Sequence, residues 1–194
     1  MMKTTALFFA LLFSITGDWT LEKDESGIKV YTRAVPGQQL KAFRAVMEVA
    51  ASPDQVLAIL TDADKGEEWM DRISDGRLLR RIGDHSYISY SVIDFPWPLD
   101  DRDIVVKVDI AREGETIICT HTNAPDAYPR QASIIRIPKY QGKWTLEKLS
   151  NGGCRVTNEG SSSPGGSVPD WLANSGVVDS PFNTLTNLRK RLGQ

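Results

Sequence analysis

Cys119 and His121 stand two residues apart in Cys119-Thr120-His121-Thr122, within a run that alternates like a strand. On a strand such a pair shares one face, and a thiol beside an imidazole is the raw material of nucleophilic chemistry. No third group that would orient the imidazole is identifiable. Residues two apart on any strand also share a face without function, so the pair is given no catalytic role. His85 falls in the turn Gly83-Asp84-His85-Ser86, and Glu67 and Glu68 are adjacent carboxylates in a polar loop; both positions read as solvated. Two histidines and two cysteines are too few and too scattered for a recognisable zinc site. Neither a metal nor a cofactor is expected.

A second group of charges is tighter. Asp101-Arg102-Asp103 follows Phe95-Pro96-Trp97-Pro98-Leu99-Asp100 and leads into Ile104-Val105. Two prolines keep residues 95–99 out of an interior strand, so this is a stiff loop that carries apolar side chains. One reading is a surface turn with a salt bridge, worth little energy. The other is a loop whose apolar tip meets a ligand or a lipid surface while Arg102 ties its base down.

The elements around these groups follow from periodicity. With 194 residues, 41% hydrophobic and 25% charged, the chain suits one domain with a full core. Its net charge of −2 supplies no global field for nucleic acid. Met1-Met2-Lys3 and the uncharged run 4–16 resemble a secretory leader in form, being shorter than the ~20 apolar residues of a membrane span. Cleavage near Gly17 would start the mature chain near Asp18 and place it outside the cytoplasm, periplasmic or secreted. There Cys119 and Cys154 could form a disulfide or remain two buried thiols.

Residues 19–27 read as a short segment that ends in a turn. Strands are expected over 28–33, 40–49, 76–82, 86–94, 104–112, 116–123, 133–137, 142–149 and 154–159. On 40–49, Phe43, Ala45, Met47 and Val49 form one face, either packed core or cavity wall. On 86–94, Ile88, Tyr90 and Val92 share a face opposite Tyr87, Ser89 and Ser91. Ser52-Pro53 caps a short helix, Trp69 reads as a half-buried wedge under a loop, and 161–166 reads as a flexible linker. The tail is helical, with Trp171, Ser175, Val178 and Phe182 on one stripe that Leu185, Leu188 and Leu192 extend. Pro181 interrupts this stripe.

Pro98-Leu99-Asp100-Asp101-Arg102-Asp103-Ile104-Val105 resembles the P-L-x-x-R-D-x-V signature of the START family (steroidogenic-acute-regulatory-related lipid-transfer domains). Pro164-Gly165-Gly166-Ser167-Val168-Pro169-Asp170-Trp171-Leu172-Ala173-Asn174 resembles the family's P-G-G-x-[IV]-P-x-W-L-x-N approach to its last helix, and Gly142-Lys143-Trp144 is also similar. The resemblance covers 19–192 and implies an α+β helix-grip fold: a curved antiparallel sheet wrapped around a long C-terminal helix, enclosing an apolar tunnel. It implies a lipid or other hydrophobic small molecule as ligand, with transient membrane contact, no nucleic-acid partner and a monomeric chain. Trp97 and Leu99 then sit at the tunnel entrance, facing the helix that carries Trp171, Val178 and Phe182. Phe43, Met47, Trp69 and Tyr90 become candidates for the wall, and Arg44 and Asp94 for polar groups inside it. Asp101, Arg102 and Asp103 anchor the loop, Arg102 through its two neighbouring carboxylates. The rival reading is a cyclase- or hydrolase-like enzyme acting on a hydrophobic substrate in the same architecture.

Overall fold

The computed structural model describes residues 18–38 and 40–194, with the side chains at 170, 171 and 173–175 outside the described set. The proposed leader, 1–17, therefore lies outside the described residues. The strands are β1 (Thr20–Glu25), β2 (Ile28–Arg33), β3 (Ala42–Val49), β4 (Ile73–Gly83), β5 (Ser86–Ile93), β6 (Arg102–Glu113), β7 (Thr116–Asn123), β8 (Ile135–Arg136), β9 (Lys139–Lys148) and β10 (Cys154–Ser163), and all but β1 fall where period-two alternation was read. The helices are α1 (Pro53–Leu60) and α2 (Asp170–Arg191). One ten-stranded sheet runs in the order β1-β2-β3-β10-β9-β7-β6-β5-β4, with β8 added parallel to the start of β6. The fold class expected from the resemblance is the one observed, with α2 packed across β2 and β3.

Several boundaries differ from expectation for local reasons. Residues 20–25 pair with β2 as a strand, mostly exposed, so hydrophobic alternation never marked them. β8 shrinks to two residues because it only fills the place beside β6 that β7 vacates after Asn123. β10 lies between β3 and β9, in the middle of the sheet, and its pairing runs through Ser161–Ser163. Half of the expected flexible linker is thus a strand.

The inner face is packed by α2 and α1. Ile28, Val30, Ala45, Met47, Val108, Leu146 and Val156 meet Phe182, Leu185 and Leu188 of α2 in one buried cluster. Burying each of the Ile, Val, Leu, Met and Phe side chains fully is worth about 1.5–3 kcal/mol. α1 starts as read from Ser52-Pro53: the Ser52 hydroxyl accepts from the Gln55 amide, and the Gln55 side chain accepts from the Ser52 amide. Such a cap contributes about 1 kcal/mol.

The sheet also has a covered outer face at the β5–β6 end. Ile88, Tyr90, Val92 and Val105 are buried there beneath Tyr128 and Ile134. The Tyr90 and Tyr128 rings lie 4.8 Å apart. This covering is held by Arg136 and Asp103, each 1% exposed, in a two-pronged pair at 2.7 and 2.9 Å. Arg136 also donates to the carbonyls of Pro125, Tyr128 and Pro129. Tyr90 therefore lies on the face away from α2 and is not a wall residue. Alternation separated the two faces of β5 correctly but could not say which faced the inner core, because the more apolar face, Ile88, Tyr90 and Val92, is the outer one, buried under the 124–137 segment.

Candidate functional site

A cavity of about 260 Å³ lies between the inner face of the sheet and α2. Its sheet wall includes Phe43, Tyr140, Trp144 and Asn158, its far side includes Ile73, Ile93 and Ile137, and Phe95 and Val168 stand at one end. The lining is mostly apolar. Two glycines make the wall possible. Gly142 and Gly160 are cross-strand partners in β9 and β10, and Gly160 also pairs with Phe43. A Cβ on Gly160 would lie 2.8 Å from the Phe43 ring, and one on Gly142 would collide with the Tyr140 hydroxyl. Both aromatic rings lie against bare backbone as a result.

The helix contributes Gly176, Val177, Ser180, Pro181 and Thr184 to the cavity. Val178 and Phe182 belong instead to the stripe that packs on the sheet. At 100° per residue the two faces are roughly a third of a turn apart. The cavity face is small and partly polar, so a search for an apolar stripe selects the wrong side of α2. Lys23 extends its ammonium to 3.8 Å from the Phe182 ring centre.

The remaining expected site residues separate clearly. Phe43 lines the cavity. Met47, 1% exposed, is core beyond the wall. Trp69 is 3% exposed rather than half-buried, and stacks edge-to-face on Trp144 at 6.1 Å. It packs within the inner core against the wall residue Trp144. Leu99 packs with Leu40, Phe95, Val168 and Leu172, joining the 95–101 loop to the start of α2. Trp97, at the loop tip, is 93% exposed. The Trp171 side chain lies outside the described residues.

Neither proposed polar cavity group is inside. Arg44 is on the outer face, 2.8 Å from Glu159 and stacked on Trp19 at 4.4 Å. Asp94 is exposed beside Arg72, whose carbonyl its amide contacts. The register places both outside: Arg44 alternates against Phe43, and Asp94 follows the last residue of β5.

Arg102 does anchor the loop, but not through its neighbours' carboxylates. It is 1% exposed. Its guanidinium donates to the carbonyls of Pro164 at 3.4 Å, Gly165 at 3.3 Å and Asp100, and lies 4.2 Å from the Phe95 ring centre. Among the described residues no carboxylate comes within ion-pair distance of it. Burial lowers its pKa, outweighing the opposing pull of the Asp100 and Asp101 charges nearby. Asp101 accepts from the Phe95 amide at 3.0 Å, and Asp103 is committed to Arg136. Gly165 and Gly166 turn the chain past the guanidinium with φ of +67° and +62°, values that favour glycine. The 164–166 segment is thus tied to the 95–101 loop.

Cys119 and His121 share the inner face, as expected, opposite Trp144 and Gly142. Burial lowers the His121 pKa to about 4 and raises the Cys119 thiol to about 11, so both are neutral at pH 7. Cys119 and Cys154 are free buried thiols. Among the described residues no group of three His, Cys, Asp or Glu is placed to hold a metal, and no helix is long and apolar enough to cross a membrane.

Comparison with known proteins agrees with this geometry. A family model described as START domain matches residues 3–194. An uncharacterized protein of Pseudomonas aeruginosa is 38% identical over 186 residues, 93% of this chain and 92% of that protein. Mouse phosphatidylcholine transfer protein is 25% identical over 185 residues, covering 91% of this chain and 85% of its own. A crystal structure of a STAR-related lipid transfer protein fragment from Xanthomonas axonopodis superposes with a TM-score of 0.84 at 38% identity, over 91% of this chain and 99% of that one. With the motifs, the gripped helix and the cavity in place, the chain belongs to the START domain family.

Proposed function

We propose that the chain binds a lipid or other hydrophobic small molecule in the cavity beneath α2 and exchanges it with a membrane, as an exported monomer that catalyses no reaction. The observation that carries this reading is the mostly apolar cavity of about 260 Å³ between sheet and helix, capped at one end by a discrete apolar cluster. Moving an apolar ligand there from water gains about 25 cal/mol per Å² of its surface. The closing cluster is small, so parting the 95–101 loop from α2 exposes little core. Trp97 beside it offers an exposed indole to the interfacial layer of a bilayer, where tryptophan is favoured. A relative named as a phosphatidylcholine transfer protein supports the lipid reading.

What supports a non-catalytic role is the state of the candidate groups: a thiol shifted up and an imidazole shifted down are not poised as nucleophile and base. Export rests on the leader pattern in 1–17 alone, and cell fractionation of the full chain tests it; recovery with the cytosol would end that part. Native mass spectrometry of the chain from Asp18 onward, before and after incubation with phospholipid vesicles that also carry a neutral single-chain amphiphile, tests the ligand reading. The expected result is a discrete adduct of one vesicle component that exchanges with the vesicles. A chain that stays bare and excludes apolar probes refutes it.

A further inference from the structure

The cavity carries information about its ligand that the overall fold does not. Asn158 sits on the inner face of β10, between Trp144 of β9 and Ala45 of β3, and is 8% exposed. Its side chain has two donors and an acceptor, yet makes no hydrogen bond to any described residue, and it lines the cavity. The amide is not sealed in the interior but opens onto the cavity, where its donors and acceptor are available to whatever the cavity holds. Tyr140 lines the same space, its ring against Gly142 and its hydroxyl without a hydrogen-bond partner among the described residues. Burial there raises its pKa to about 12, so it stays a neutral donor. Across from them, Thr184 accepts from the Asp71 amide at 3.1 Å, and its own hydroxyl hydrogen is committed to no described residue. These three groups supply donors and an acceptor, all uncharged.

The charged residues of the lining are already matched. Lys41 lies 3.2 Å from Glu22 and is 46% exposed; Arg72 lies 3.8 Å from Asp71 and is 40% exposed. Arg102 faces backbone carbonyls, screened from the cavity by Phe95 and Pro164. Among the described lining residues, a phosphate or carboxylate head would find no cation without a carboxylate already beside it. Size adds a second constraint. At about 30 Å³ for a water-sized group, 260 Å³ holds on the order of ten heavy-atom groups. A two-chain phospholipid has roughly fifty, far beyond that allowance.

We infer that the ligand is a compact, uncharged amphiphile with one hydrogen-bonding end, on the scale of a medium-chain alcohol or a single-ring phenol, its polar end on Asn158 and Tyr140. This rests on the cavity being a binding site for hydrophobic molecules, as proposed above. It departs from what the name of the mouse relative would suggest.

The test uses four probes on the chain from Asp18 onward: 1-decanol, decanoate at pH 8, n-decane and phosphatidylcholine vesicles. Tryptophan fluorescence is the readout, since Trp144 lines the cavity, and native mass gives the stoichiometry. Decanol should bind saturably at one per chain, decanoate at least tenfold more weakly, and no phospholipid adduct should leave the vesicles. Asn158→Leu should weaken decanol about tenfold and leave decane unchanged, as loss of a buried hydrogen bond predicts; Tyr140→Phe, which removes one atom, should act in the same direction. A phospholipid adduct, or decanoate as tight as decanol, overturns the inference while leaving hydrophobic binding intact. Decanol binding unchanged in both variants overturns the assignment of its polar end. Failure of decanol, decane and phospholipid alike brings down the binding reading itself.

Discussion

Replacing Arg102 with methionine should loosen the cavity mouth without unfolding the sheet. Methionine keeps much of the volume and removes every donor. Three carbonyls lose their partner, but not equally: Pro164 is buried, Gly165 is partly covered, and Asp100 is exposed enough to turn to water. Stranding a buried carbonyl costs about 1–3 kcal/mol. Loss of the cation from the Phe95 face adds about 0.5–2 kcal/mol. Against this, a guanidinium taken from water with no carboxylate partner is released, and relief of that desolvation returns part of the loss. The expected net is about 2–4 kcal/mol, which for a chain of this size lowers Tm by roughly 5–15 °C. Hydrogen exchange locates the effect. The amides of Phe95, bonded to Asp101, of Leu99, bonded to Pro96, and of Leu172, bonded to Pro169, should exchange faster, while those of β10 and β3 keep their protection. Arg102→Lys should recover less than half, because one ammonium cannot span the carbonyls that the planar fork reaches. An Arg102→Met chain with unchanged Tm and unchanged exchange at Leu99 and Leu172 would refute the latch.

Other substitutions separate neighbouring roles. Arg136→Met leaves Asp103 buried and unpaired, so urea denaturation should show a loss of about 3–5 kcal/mol. Gly160→Val drives a side chain into the Phe43 ring; about 1–3 kcal/mol of stability should be lost, together with ligand uptake measured by native mass. Trp97→Ser should leave stability within about 0.5 kcal/mol and reduce vesicle co-sedimentation several-fold. His121 titrates in the unfolded chain near 6.5 but in the folded chain near 4, so between those values the unfolded state holds more protons. Stability should therefore be full above pH 6.5 and fall as the pH drops toward 4, with His121→Gln flattening the slope of denaturation midpoint against pH.

The fold was legible because its strands announce themselves by alternation and its motifs lie at the two places where the helix and sheet meet. What alternation could not supply was orientation. On β5 it divided Tyr87 from Tyr90 without saying which faced α2, since the 124–137 segment buries the outer face as completely as the helix buries the inner. The same limit applied to Arg102. Two aspartates beside it in the chain made local ion pairs the natural expectation, yet strand geometry sends Asp103 to the opposite face, toward Arg136. Two of the three carbonyls that hold Arg102 come from 62 and 63 residues away, a contact that no local pattern encodes.

The cavity was harder to read for a deeper reason. Hydrophobic periodicity finds surfaces that pack, and a binding cavity is where packing stops. On α2 the residues that touch the sheet are large and apolar, Val178, Phe182, Leu185 and Leu188, and their stripe drew attention. The residues that border the cavity, Gly176, Ser180 and Thr184 among them, are small, because a larger side chain there would fill the space. The signal that was present lay in pairs of features rather than in one. Gly142 stands two residues from Tyr140, and Gly160 pairs across the sheet with Phe43. Glycines that pair within a sheet, each beneath an aromatic ring, mark where a wall is made flat. Asn158, two residues before Gly160 and on the same face, then marks where that wall is given a polar contact. Small residues on one helix face, opposite a glycine-aromatic patch with a lone amide, together indicate a cavity that neither element indicates alone.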